Sequence, residues 1–231
     1  MGGYLFDRSE LLIGKDNFLK LKNKTILILG IGGVGGYVLE SLVRCGINHL
    51  IIVDYDTVDI TNINRQIIAL HSNIGRKKVE CFMMRIKDIN PDCQVDTYDL
   101  FYDESNKDIF FNQKIDYIID CCDSINSKKI IIEESIKRNI PIISSMGTGN
   151  KLHPELFTIE KLKKTTYDPL AKKLRYLLKD NKEALLIPVA YSKEEPVKGL
   201  DKIGSISFVP SAVGLLISSY VVLDLIKGDI K

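Results

Sequence analysis

Gly30-Ile31-Gly32-Gly33-Val34-Gly35-Gly36 follows an apolar run, Thr25 to Leu29, and opens a helical pattern from Val34 to Cys45 that Gly46 closes. A glycine-rich turn between strand and helix lets backbone N–H groups approach a nucleotide phosphate, whose charge the helix N-terminus favours. The next apolar run, Leu50 to Val53, ends at Asp54. That is about 20 residues past the glycines, the spacing at which a carboxylate meets a ribose diol. Gly30, Gly32, Gly33 and Gly35 are therefore expected to shape a nucleotide turn, and Asp54 to hold the ribose. The glycines alone do not say which nucleotide.

Around this turn, strand and helix patterns alternate. Strands are expected over Thr25–Leu29, Leu50–Asp54, Gln94–Tyr98, Ile115–Asp120 and Pro141–Ser145. Helices are expected over Val34–Cys45, Gly75–Ile89 and Ser127–Arg138. Repeated alternation with β-branched runs predicts an α/β fold, a doubly wound, Rossmann-like, mainly parallel sheet. Residues 1–24 suggest one or two short helices. After Met146 the alternation stops. Leu156–Glu160 and Leu185–Ala190 read as strands that extend the sheet antiparallel. Asp168–Lys179 reads as a helix with Pro169 in its first turn, and Ser211–Lys227 as the closing helix, with Gly228 at its C′ position. The chain is expected to be a single nucleotide-binding domain: N-terminal helices (1–24), a nucleotide-binding core (25–150), a basic substrate-facing segment (151–205) and a C-terminal helix (206–231).

The 231 residues suffice for one sizeable core, and 45% apolar with 27% charged residues is ordinary for a soluble globular protein. A net charge of +2 excludes any global attraction to polyanions, so a basic surface has to be local. Five cysteines with no secretory signal ahead of them predict a reduced, cytoplasmic chain. Without paired C-x-x-C motifs no structural zinc site is expected. Ile206–Ile226 is nearly uncharged, but Pro210 and its small residues read as a buried or interface helix rather than a membrane span.

Downstream of Asp54 runs a polar stretch, Tyr55-Asp56-Thr57-Val58-Asp59-Ile60-Thr61-Asn62-Ile63-Asn64-Arg65-Gln66. It is expected at the carboxyl edge of the sheet, where ligands bind in such folds. Arg65 offers a fork of donors to phosphate oxygens, and Lys78 near the next helix start can point into the same crevice. Asp120 and Asp123 close a third strand at that edge. A dinucleotide dehydrogenase needs few such cations. Arg65 and Lys78 facing Asp123 suit a triphosphate with Mg²⁺, held by an oxygen ligand. There is no P-loop sequence. The simpler readings are that Asp56 and Asp59 are turn residues, and that Asp123 caps a helix in competition with Ser124.

The set Gly30-x-Gly32-Gly33-x-Gly35, Asp54-x-Asp56, Asn62-x-Asn64-Arg65-Gln66, Gly75-x-x-Lys78 and Asp120-x-x-Asp123 resembles the ubiquitin-activating superfamily, which includes the ThiF, MoeB and HesA adenylyltransferases. The resemblance implies that Gly33, Asp54, Asn62, Arg65, Lys78 and Asp123 contact ATP or its metal, and adds Asp56, Asn64, Asp120 and Ser124 to the nucleotide site. Catalysis would rest on Arg65, Lys78 and Asp123. It further implies a homodimer in which Arg8 reaches the partner's ATP. The match is tightest to a branch that acts on threonylcarbamoyladenosine, a modified adenosine at position 37 of tRNA. Its carriers are Ser9-Glu10-Leu11-Leu12-Ile13-Gly14, Asn64-Arg65-Gln66-Ile67-x-Ala69-Leu70, Ile143-Ser144-Ser145-Met146-Gly147, Lys164-Thr165-x-x-Asp168-Pro169-Leu170-Ala171 and Phe208-Val209-Pro210-Ser211-Ala212. Two departures stand out: Thr148-Gly149 where small alanines are common, and a shortened stretch from Val197 to Ile203 at the substrate entrance. That branch implies activation of the threonyl carboxylate with ATP, followed by ring closure through the side chain's own nitrogen with net loss of water. A sulfur-transfer or sulfur-acceptor protein is a further implied partner.

The local charge agrees with a tRNA partner. Between Lys151 and Lys182 stand nine cations and four acids, an excess of five where the whole chain carries +2. Lys161, Lys163, Lys164, Lys172, Lys173 and Arg175 are the expected phosphate-backbone contacts, and Tyr167 and Tyr176 can either stack on loop bases or pack in the core. Two other readings stay open: adenylation of the C-terminal glycine of a ubiquitin-like sulfur carrier, and a redox module holding a dinucleotide. A thioester- or persulfide-forming enzyme needs a cysteine after Asp123, and none occurs.

Overall fold

The computed structural model describes residues 4–227. Seven strands, β1 (Thr25–Leu29), β2 (His49–Val53), β3 (Gln94–Tyr98), β4 (Tyr117–Asp120), β5 (Ile142–Ser145), β6 (Phe157–Lys161) and β7 (Pro188–Ser192), form one sheet in the order β3-β2-β1-β4-β5-β7-β6. Every neighbouring pair is parallel except β6 with β7. The helices are α1 (Asp7–Ile13), α2 (Lys15–Lys22), α3 (Gly35–Arg44), α4 (Lys78–Ile89), α5 (Ile125–Lys137), α6 (Pro169–Leu177) and α7 (Phe208–Leu225).

Strand parity divides the core. On β1, Ile26 and Ile28 face one apolar layer with Val38, Leu42, Phe82 and Ile217. Leu27 and Leu29 face the other, with Phe110, Ile131, Ile132 and Leu174. Successive side chains point to opposite faces, so a strand covered on both reads as an unbroken apolar run. Each fully buried branched side chain contributes roughly 1.5–3 kcal/mol.

Several expected boundaries shift. The helix expected from Gly75 starts at Lys78: Gly75 has φ +82°, and a bridge between Thr57 and Lys77 holds the preceding residues extended. The strand expected from Leu185 starts at Pro188, because Ala184–Leu186 form a 3₁₀ turn. Asp168 caps α6 by accepting the Ala171 N–H at 2.9 Å, with Pro169 in the first turn. Gly228 lies outside the described residues.

Helix α7 is long and apolar enough, by length and composition only, to cross a membrane. Its Val209, Val213, Ile217 and Val221 are fully buried in the layer that contains α3. A Cβ at Gly214 would stand 2.6 Å from the Val34 carbonyl oxygen, so only glycine permits the two helices to approach this closely. Ser218 donates to the Gly214 carbonyl at 2.8 Å, which satisfies its buried hydroxyl.

Candidate active site

The carboxyl ends of β1, β2, β4 and β5 open into a cavity of about 640 Å³. It sits where the chain order reverses between β1 and β4, the point at which open α/β sheets bind ligands. Gly30 leaves β1 at φ +82°, and a Cβ there would lie 2.7 Å from the Cys122 backbone. Asp54 ties this turn to the end of β2. One carboxylate oxygen accepts the Ile31 N–H at 2.8 Å and the other the Asp56 N–H at 2.9 Å. Burial pushes the Asp54 carboxyl above its ordinary range, against the opposing pull of Lys78 and these two amides.

Of the residues expected at a nucleotide site, Gly30, Gly32, Gly33, Asp54, Asp56, Asn62, Arg65, Lys78, Asp123 and Ser124 line this cavity. Lys78 is buried, with its Nζ 2.7 Å from Asp56 Oδ2, while the Asp56 carboxylate is half open. Arg65 uses one terminal nitrogen, Nη1, to donate to the Thr61 carbonyl (3.0 Å) and to Asn64 Oδ1 (2.8 Å). Asn62 is fixed by the turn Ile60–Asn62, whose cap is Asp59: the Asp59 carboxylate accepts from Thr61 N at 2.8 Å, and the Asp59 N–H donates to Asn62 Oδ1 at 3.2 Å. Asp59 is thus a turn residue. Ser124, not Asp123, caps α5, accepting the Ser127 N–H, and the Asp123 carboxylate is left exposed at the cavity.

Four expected residues lie elsewhere. Asp120 is wholly buried beneath the cavity floor, paired with Lys128 at 3.0 Å and accepting from Ser144 at 2.6 Å. Burial alone would depress Lys128, but Asp120 overrides it and holds the ammonium charged. Asp120 therefore carries a structural ion pair and does not reach the nucleotide cavity. Asn64 turns away to donate to Ser205. Gly35 starts α3 against the Gly30 carbonyl, below the cavity wall. Arg8 lies on α1, outside the cavity of its own chain. Helix α1 buries none of its residues, and Leu11 and Leu12 are 85% and 86% exposed.

Other lining residues carry no role in the sequence reading. Gln66 is buried against the cavity, and its Oε1 has no hydrogen-bond partner. Its place in the Asn64-Arg65-Gln66 run was the available signal. Tyr55 and Phe101 meet edge to face at 5.1 Å, both on the cavity wall. Met146, Gly147, Thr148 and Gly149, which follow β5, line the cavity together with Leu170 and Ile203; this side is its second lobe. Cys121 and Cys122 also line the cavity, and burial raises both thiols, so neither is a ready nucleophile.

In the basic segment, Lys161, Lys163, Lys164, Lys172 and Lys173 are exposed. Lys164 is 3.7 Å from Glu160. Arg175 is half-buried and donates to Thr165 Oγ1, so it is less free than the lysines. Lys151 is not on this surface at all. It is buried, 2.9 Å from Asp168 and 2.6 Å from the Gly147 carbonyl. Since that pair removes one charge of each sign, the local excess of positive charge remains. Tyr167 and Tyr176 are exposed rather than core residues, at 62% and 70%.

A glycine turn, a buried ribose-spaced carboxylate and two cations around one cavity define a nucleotide-binding α/β protein. The chain belongs to the ThiF family, whose profile matches residues 6–228. It is 41% identical over 240 residues to the tRNA threonylcarbamoyladenosine dehydratase of Bacillus subtilis, covering 96% of this chain and 94% of that protein. Its fold is similar to the crystal structure of the Escherichia coli tRNA N6-threonylcarbamoyladenosine dehydratase in complex with ATP. The TM-score is 0.91 with 32% identity, over 95% of this chain and 93% of that one. The same E. coli enzyme in complex with AMP matches with a TM-score of 0.90 and 31% identity, over 97% of each chain.

Proposed function

We propose that this chain is an ATP-dependent dehydratase that cyclises N6-threonylcarbamoyladenosine at position 37 of tRNA. The observation that carries this reading is the convergence of Arg65, Lys78 and Asp123 on one cavity, in a chain alike over nearly its whole length to a dehydratase of that name. ATP fits the residues present. The glycine turn leaves room for phosphates, Gln66 Oε1 is an acceptor in need of a donor, and Tyr55 with Phe101 offers an aromatic wall.

A carboxylate oxygen is a poor leaving group, so the threonyl carboxylate has to be activated before a ring can close. Its oxygen attacks a phosphorus of ATP and displaces the group on the far side of it, pyrophosphate from the α-phosphorus or ADP from the γ-phosphorus. The side chain's own nitrogen then attacks the activated carbonyl, the phosphorylated oxygen departs, and one water has been lost overall. Arg65 and Lys78 stabilise charge that grows on the phosphates. The second step is intramolecular, so the protein needs only to orient the two ends and exclude water. Asp123, with its oxygen ligands at the mouth, would hold Mg²⁺ together with the phosphates; when bound, that ion neutralises phosphate charge.

Asp54 and Asp56 serve the ribose side, and the exposed lysines of residues 151–205 serve the tRNA backbone. Arg8 and the uncovered α1 fit a homodimer in which a second copy covers Leu11 and Leu12 and receives Arg8 at its cavity. Five free cysteines and a tRNA substrate fit a reducing cytoplasm. Residues 1–24, 25–150, 151–205 and 206–231 act as parts of one unit. Transfer to a sulfur carrier is the weaker reading, as no cysteine follows Asp123.

The test is incubation of the protein with ATP and tRNA bearing the open nucleoside, followed by mass spectrometry of the nucleosides. A product lighter by one water, formed only with ATP, is expected. Unchanged nucleoside with intact ATP would sink the reading.

A further inference from the structure

The stretch from Val197 to Ser205 borders the cavity as a strap, with Ile203 and Ser205 in its lining. Both of its ends are bound to Asn150: the Val197 N–H donates to the Asn150 carbonyl at 2.8 Å, Gly204 N–H to Asn150 Oδ1 at 2.6 Å, and Asn150 N–H to the Gly204 carbonyl at 2.9 Å. The Ile203 side chain lies over Gly149, so that a Cβ there would stand 2.4 Å from its Cγ2 and push it aside. Beside Gly204, Ser205 meets Asn64, the neighbour of Arg65 in the cavity wall. Asn64 Nδ2 donates to the Ser205 carbonyl at 3.1 Å and to Ser205 Oγ at 3.0 Å. The same amide's oxygen accepts from Arg65 Nη1 at 2.8 Å.

We propose that Asn64 is a positioning residue that joins the strap over the acceptor lobe to the Arg65 guanidinium at the phosphates. This rests on the cavity being the ATP site. One amide group uses its two ends on two different parts of the cavity. Its oxygen holds Nη1, leaving Arg65 Nε and Nη2 to be aimed at a phosphate. Its nitrogen holds the strap, whose Ile203 walls the lobe where a carboxylate would approach. Drawing Arg65 onto a triphosphate therefore pulls, through Asn64, on Ser205 at the strap's end. Closure over the acceptor and orientation of the cation become one event, which keeps water away from an activated carboxylate. Asn64 touches neither nucleotide nor acceptor in this arrangement; it acts through Arg65 and Ser205.

The strap carries two exposed trypsin sites, Lys198 and Lys202. Limited trypsin digestion, with the cut positions read by mass spectrometry, is run with and without ATP on the full-length protein and on Asn64→Ala. ATP is expected to slow cleavage at these two lysines severalfold in the parent and to leave it unchanged in Asn64→Ala. In kinetics on tRNA, Asn64→Ala is expected to lose tenfold or more in kcat, to change KM for ATP by less than twofold, and to consume more ATP per cyclised nucleoside. Equal protection by ATP in parent and variant overturns the proposal, as does absence of protection in the parent. Loss of ATP binding in Asn64→Ala also overturns it, since Asn64 would then hold the nucleotide itself. Because the digestion needs no tRNA, failure of the dehydratase reading shows in the nucleoside assay alone.

Discussion

Lys78 Nζ lies 2.7 Å from Asp56 Oδ2, with the ammonium buried and the carboxylate half exposed. The pair is sealed on the protein side and open on the cavity side. A phosphate entering from the cavity can replace or join the carboxylate without moving the lysine. Lys78→Ala is expected to lower kcat by about 10²–10³-fold, the usual cost of removing one donor to developing negative charge. Lys78→Arg should recover only part of this, because the guanidinium is larger and the position is closed. Steady-state ATP turnover in the presence of tRNA is the measurement, and a kcat within twofold of the parent for Lys78→Ala contradicts the role.

Asp54 supplies a pH dependence. Its carboxyl is pushed above the ordinary range by burial, so it takes up a proton at a higher pH than a free aspartate, near 3.9. Protonation removes an acceptor for a ribose hydroxyl. Adenosine, which carries no phosphate to titrate, should bind more weakly as pH falls through that raised value. Titration calorimetry on the parent and on Asp54→Asn would test it; the variant should bind weakly at every pH. An affinity flat down to the ordinary aspartate range rules out Asp54 as the ribose ligand.

The buried Lys128–Asp120 pair makes a stability prediction. Removing one partner of a buried pair leaves an uncompensated charge, so Lys128→Met is expected to cost about 3–5 kcal/mol, read from denaturant unfolding. The sign with pH follows from the raised Lys128 value. The lysine's contribution is complete below the unfolded-state value and is lost as pH rises through the higher folded-state value. The lysine's part of the gap between parent and variant should therefore hold through neutral pH and fall away above about pH 10, while protonation of the unpaired Asp120 relieves the variant in acid. No measurable gap at neutral pH would mean the lysine is not the group that matters.

The exposed lysines can be tested by salt. Replacing Lys172 and Lys173 by glutamate is expected to weaken tRNA binding across sequences and to reduce the steepness of log Kd against log salt by about one unit per lost contact. ATP binding to the same variant should be unchanged. A parallel salt titration of parent and variant would remove these two positions from the tRNA footprint.

The strands and the glycine turn were legible because apolar runs and glycine spacing are local signals. Asp120 and Asp123 were both expected at the nucleotide site, and strand geometry separates them. Asp120 is the last residue of β4, with its side chain fixed inside the sheet by Lys128 and Ser144. Asp123 is beyond the strand and exposed. Lys151 illustrates the limit of charge counting: nothing local marks it as buried, because its partner Asp168 arrives from the cap of another element. The Asn64–Ser205 contact joins residues 141 positions apart. Motif spacing groups Asn64 with its sequence neighbours at the nucleotide, whereas its amide is taken by a distant loop.

Pro210, from the first turn of α7, stands 3.2 Å from where a Cβ on Gly33 would be, and it forms part of the cavity wall. The turn that begins the sheet is thus completed by the last helix described. During synthesis the glycine loop emerges early, yet it has no finished surface to offer a ligand until α7 has left the ribosome and seated on α3.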